Sequence, residues 1–138
     1  VNGDIETPEQ ARAALAASGA DGVMIGRAAL GRPWLVGEIA KALEGLEKNV
    51  VHPDRMAEAA IRHYRGILEA FGAAHGIRHA RKHVAAYADE AARRGASIFP
   101  QLRSDILVSD DPEAVIDFLH TIFSSIGARA ETARAEAA

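Results

Sequence analysis

The apolar positions change their pattern near residue 50. Before it, short apolar runs alternate with small helical faces. Thr7-Pro8-Glu9-Gln10 is a helix opening: Thr7 can cap, Pro8 suits the first helical position, and Gln10 completes a capping box. Ala11, Ala14 and Leu15 supply a small apolar face, and Gly19 closes the helix. Gly22-Val23-Met24-Ile25-Gly26 is then a continuous apolar run, the pattern of a parallel strand covered on both faces. Pro33 and Trp34 open another helix, with Leu35, Ile39 and Leu43 at four-residue spacing. Val1-Asn2-Gly3-Asp4 reads as the end of a strand, so the order is strand, helix, strand, helix. Two parallel strands alone leave two open edges. The pattern therefore predicts that residues 1–44 are the last two units of a larger α/β fold, truncated here.

Residues 45–53 lack periodicity and read as a linker. Beyond them the pattern is wholly helical. Asp54 is predicted to cap a helix with Ala57, Ala60, Ile61, Tyr64, Leu68 and Phe71 on one face. Gly72 and Gly76 punctuate. A second helix turns Ile77, Ala80, Val84, Tyr87, Ala88 and Ala91 inward and stops near Gly95. A shorter third element uses Ile98, Phe99, Leu102, Ile106 and Leu107. Asp111-Pro112-Glu113 opens a fourth, with Val115, Phe118, Leu119, Ile122 and Ile126 inward. Short connections predict an antiparallel four-helix bundle over 54–127, then a flexible tail over 128–138. Phe71, Phe99, Phe118 and Phe123 all read as core or near-core positions, their spacing fitting buried bundle faces and not an exposed stacking platform.

Composition fits a folded, helix-rich chain: 49% hydrophobic, 25% charged and only 5% aromatic residues. With no cysteine, disulfides, thiolate metal sites and a cysteine nucleophile are excluded within these residues. His75, His79 and His83 fall at four-residue spacing, but no helix-borne carboxylate sits among them and no metal is expected. No apolar run approaches the roughly 20 residues of a membrane helix, and a cytoplasmic monomer is expected. The formal net charge of −3 hides an asymmetry. Residues 55–103 carry 9 basic and 4 acidic groups plus four histidines, whereas residues 104–138 carry 2 basic and 7 acidic. The middle segment can present a local positive field.

Two places carry candidate chemistry. Asn2-Gly3-Asp4 and Gly26-Arg27 each lie just beyond a predicted strand. Two adjacent strand tips can form one anion cup, with glycine admitting phosphate to the backbone and Arg27 adding forked donors. Ordinary turn glycines and a surface arginine would give the same spacing. On the second helix, Arg78, Lys82 and Arg93 project together, away from the apolar face. Arg81 borders that face on one side and His83 on the other. Such a row can follow a phosphate backbone, and Arg62, Arg65 or Arg103 can extend it. A merely solvated face is the alternative.

Two stretches make the chain similar to a known family: Asn2-Gly3-Asp4-Ile5, and Ser18 through Gly26-Arg27-Ala28-Ala29-Leu30-Gly31-Arg32-Pro33-Trp34. They closely resemble the end of the barrel in bacterial tRNA-dihydrouridine synthases, the DusB branch in particular. Gly76-Ile77-Arg78 and Ala80-Arg81-Lys82-His83 resemble that family's helical-domain motif. The resemblance covers most of residues 1–125. It implies a fold that is mainly α: a C-terminal four-helix bundle preceded by the last βαβα units of a truncated (β/α)8 TIM barrel. It implies an oxidoreductase in which NADPH reduces FMN, and the flavin reduces a tRNA uridine to 5,6-dihydrouridine. By this likeness Asn2, Gly3, Asp4, Gly26 and Arg27 contact the ribityl-phosphate end of FMN, and Arg78, Arg81, Lys82 and His83 contact tRNA. The family's catalytic cysteine belongs to earlier barrel units, so no catalytic residue is expected here, nor activity of the fragment, and FMN should be held weakly or not at all. A protein-interaction or regulatory module attached to another FMN-dependent barrel is the competing reading; a barrel oxidoreductase acting on a small molecule is a third.

Overall fold

A computed structural model of the chain describes residues 1–46 and 51–136, with side chains through residue 126. The chain forms two compact units, Val1–Val51 and His52–Ala138, and is mainly helical. Of the expected linker, residues 47–50 lie outside the described residues, as do residues 137–138 of the expected tail.

In the first unit, strand β1 (Asn2–Gly3) is followed by helix α1 (Pro8–Ser18), strand β2 (Met24–Ile25), a 3₁₀ turn (Arg27–Ala29) and helix α2 (Trp34–Leu43). The strands pair in parallel, Asn2 opposite Met24 and Gly3 opposite Ile25. Helix α1 opens as its sequence dictates. Thr7 Oγ1 accepts from the Gln10 amide at 3.2 Å, and Gln10 Oε1 accepts from the Thr7 amide at 3.1 Å. Gly19 ends the helix at φ 66° and donates to the Leu15 carbonyl. Replacing Thr7 by alanine should cost this helix about 1 kcal/mol. Amide exchange in its first turn would then accelerate about fivefold, with helix α2 unaffected.

Ile5, Ala11, Leu35 and Ile39 form the unit's core, with Ala14, Val23, Ile25, Ala28 and Leu43 packed around them. The strands differ from expectation. Both are two residues long, and Met24 is 57% exposed although its run is patterned for cover on both faces. The helices cover one side through Val23 and Ile25. Among the described residues of this unit, Met24 on the other side is left exposed.

The second unit consists of helices α3 (Pro53–Phe71), α4 (Ala73–Arg93), α5 (Pro100–Val108) and α6 (Pro112–Glu136). Tyr64, Ile67, Val84, Tyr87, Phe118, Leu119 and Phe123 are among its buried side chains, which places the core where α3, α4 and α6 meet. Helix α5 contributes no fully buried residue. Its Ile106 and Leu107 edge packs beside Tyr64, Ile77, Val84 and Val115. Helix α6 continues past Gly127, where the tail was expected to begin.

Four local expectations are corrected. Helix α3 is capped by His52, whose Nδ1 accepts from the Asp54 amide at 3.4 Å; Asp54 lies inside the first turn. Gly76 does not punctuate, because α4 already begins at Ala73 and Gly76 is buried within it. Phe71 is 53% exposed, standing at the last residue of α3, where the chain reverses before α4 can cover the ring. Phe99 is 76% exposed because it precedes Pro100 in extended backbone and so does not follow the helical period.

Candidate functional site

The parallel register of β1 and β2 brings the two strand tips together, so Asp4 and Gly26 follow directly from paired residues. Arg27 Nη2 lies 2.9 Å from Asp4 Oδ1, with both side chains mostly exposed. A Cβ placed on Gly3 or on Gly26 would meet no atom within 4 Å, so the backbone here is open to approach. This donor set fits the phosphate-bearing end of a cofactor. Arg27 keeps a solvent-facing guanidinium of which Asp4 engages one nitrogen, so Asp4 offsets part of its charge while steadying it and offering an acceptor for hydroxyl groups. The α-helix N-termini stand off from the cup: the three-residue 3₁₀ turn follows Gly26, and α1 starts four residues after Asp4.

The arginines and lysine of the second unit whose side chains are described separate into two groups. Arg55 pairs with Glu58, Arg81 with Asp110, Arg93 and Arg94 with Glu90, and Arg103 with Asp89. Arg62, Arg65, Arg78 and Lys82 make no ion pair among the described residues. An intramolecular carboxylate already offsets the charge of the first group; the second retains its charge for a partner.

Each predicted contact residue now has a place. Arg78 and Lys82 lie exposed on the outer face of α4. Arg93, expected beside them, is drawn to Glu90, which is 2% exposed and also accepts from Arg94 Nε at 2.7 Å. Arg81 turns to the α5–α6 connection, donating to the Val108 carbonyl and to Asp110 Oδ1 at 3.3 Å each. Arg62 and Arg65 open onto a groove of about 760 Å³ between α3 and α6, among Asp54, Glu58, Glu69 and His120. They do not lengthen the α4 row. The Glu90 pairing was readable from its three- and four-residue offsets to Arg93 and Arg94. Asp110 lies 29 residues from Arg81, and no local spacing signals that pair.

His83 packs edge-on against His63 of α3, with ring centres 4.7 Å apart. Burial lowers the His63 pKa; burial, then the charges of His63, Lys82 and His79, lower that of His83. Tyr87 Oη lies 3.1 Å from His63 Nδ1. Burial pushes the Tyr87 pKa up to about 12, so the phenol keeps its proton and can donate to a neutral imidazole. The unfolded histidines, titrating near about 6.5, bind protons before the native ones do. Stability is therefore complete above that value and declines as pH falls through it, levelling below the native values. The urea midpoint should fall between pH 7.5 and pH 5.5, and His63→Gln with His83→Gln should flatten the slope. Among the described residues no group of three or more His, Asp or Glu side chains is arranged to hold a metal ion. No described helix is long and apolar enough to cross a membrane.

Comparison with known proteins places this geometry in context. A family model described as dihydrouridine synthase matches residues 1–125. A probable tRNA-dihydrouridine synthase of Rhizobium leguminosarum is 40% identical over 114 residues, covering 83% of this chain and 33% of the relative. One from Rhodobacter capsulatus is 38% identical over 124 residues, covering 89% of this chain and 36% of the relative. A tRNA-dihydrouridine synthase B of Xanthomonas axonopodis is 34% identical over 140 residues, covering 99% of this chain and 40% of the relative. The chain thus spans between 33% and 40% of the length of these relatives.

Proposed function

The chain belongs to the dihydrouridine synthase family, and from that premise we propose that it is the tRNA-gripping and phosphate-cupping part of an FMN- and NADPH-dependent tRNA-dihydrouridine synthase. In this reading the first unit is the end of a (β/α)8 barrel, and the second is the tRNA-binding helical bundle of a cytoplasmic monomer. The exposed side of β2 is then the face that the remaining barrel covers, which accounts for Met24 in water. Bound FMN would supply hydride to C6 of a uridine and be reduced again by NADPH. Asn2 and Gly3 would bring backbone to the ribityl-phosphate end, and Gly26 would admit a phosphate oxygen. Arg27 would fork onto that phosphate while Asp4 accepts from a ribityl hydroxyl. Catalysis is not assigned to these residues, since the family's cysteine acid has no counterpart among them.

The observation that carries the RNA half of this reading is that Arg78 and Lys82 stand exposed side by side with no carboxylate partner among the described residues. Arg81 then acts by holding the α5–α6 connection beside them, and His83 by fixing α4 against α3. Titration of the 138-residue chain with unmodified tRNA at two salt concentrations tests it. Binding should weaken steeply as salt rises, because phosphate contacts release counterions. Absence of tRNA affinity even in dilute buffer would favour a protein-interaction module instead.

A further inference from the structure

Phe71 is the last residue of α3, and its ring is more than half exposed. The next residue, Gly72, adopts φ 72° and ψ 156°, a conformation reserved almost entirely for glycine. That kink fixes where the ring stands relative to α4. His79, two turns into α4, lies against it with ring centres 4.7 Å apart and planes 34° apart. The two rings are thus already near-stacked, so little side-chain freedom is lost when a third flat group joins them. His79 is flanked by Arg78, its neighbour in sequence, and by Lys82, one turn on along the same helix. Phe99 is more exposed still but carries none of these features. It has no ring neighbour among the described residues, and the nearby Arg103 is tied to Asp89.

We infer that the Phe71–His79 ring pair is a stacking platform for an unstacked nucleobase of single-stranded RNA, with Arg78 and Lys82 holding the phosphates on either side. The inference rests on the tRNA-binding reading above and deepens it by naming where a looped-out base would lie. Duplex RNA offers phosphates but buries its base faces. A flat aromatic surface beside two cations instead suits a strand whose bases are accessible. Every base has a π-face, so the platform tolerates sequence; it selects for single-strandedness.

The test uses the 138-residue chain, a 12-nucleotide oligouridine, a duplex RNA of equal length and an unmodified tRNA. Phe71→Leu keeps the apolar bulk and removes the ring. It should weaken oligouridine binding about 5- to 100-fold and leave the duplex unaffected. The salt dependence of oligouridine binding should not change, because no phosphate contact is lost. Phe71→Trp should bind at least as tightly as the native chain, which separates loss of the ring from loss of fold. Oligouridine affinity equal in the native chain and in Phe71→Leu overturns the platform and leaves the ring pair to an apolar protein contact. If oligouridine binding depends on Phe71 while tRNA does not bind, the platform stands and the tRNA reading falls. If tRNA binds and Phe71→Leu changes nothing, the reverse holds; if neither RNA binds, both fail.

Discussion

Gly76→Ala destabilises the helical unit by about 1–3 kcal/mol, the cost of forcing extra volume into a closed contact. A methyl group at this position would lie 2.8 Å from Leu68 Cα and 3.1 Å from the Ile67 carbonyl oxygen. Those atoms are backbone of α3 and cannot rotate away, so the two helices must separate. The sign of the effect makes the test decisive. In a helix interior, glycine to alanine ordinarily stabilises by about 0.5–1 kcal/mol. Gly66, on α3, is the internal control, because a Cβ there meets nothing within 4 Å. Gly66→Ala should raise the urea midpoint and Gly76→Ala should lower it. If both variants shift it upward, the α3–α4 crossing is looser than described.

The close crossing also explains which parts of this chain were legible in its sequence. The helix α1 opening was readable because every participant lies within four residues of Thr7, and the inward faces of α3 and α4 because 3.6-residue periodicity is local. The closure of α3 against α4 at Gly76 was not readable, since one small residue can mark a break or a crossing. Phe71 and Phe99 were misplaced for a related reason. Periodicity gives the direction of a side chain but not whether a neighbouring helix reaches far enough to cover it. The candidate site divides in the same way. The α4 row was visible as a helical face, but which cations remain available depends on distant carboxylates. Asp110 reaches Arg81 and Asp89 reaches Arg103 across 29 and 14 residues. At the strand tips, glycine and arginine after two apolar runs suggested a cup. The Asp4–Arg27 contact that organises it needed the parallel register.

The second large effect concerns RNA. Reversing the two cations of α4 that make no ion pair among the described residues, as Arg78→Glu with Lys82→Glu, should reduce tRNA affinity on the order of 100-fold in dilute buffer. In the proposed tRNA-binding role, each substitution would remove a favourable phosphate contact and add a repulsive one. Neither touches the buried core, since both side chains stand on the outer face of α4, so the urea midpoint should change little. Arg103→Gln serves as the comparison. Its charge is already offset by Asp89 at 2.9 Å, and affinity should shift by less than about threefold. Equal losses from Arg103→Gln and from the double reversal would mean a diffuse field rather than a localised contact.

The α4 face is tested most directly by the slope of log affinity against log salt for tRNA binding, taken with the native chain and with Arg78→Glu/Lys82→Glu. Two phosphate contacts on α4 predict that the slope becomes shallower by about 2 in the double variant. An unchanged slope, with affinity intact, would contradict the assignment of this helix face to tRNA.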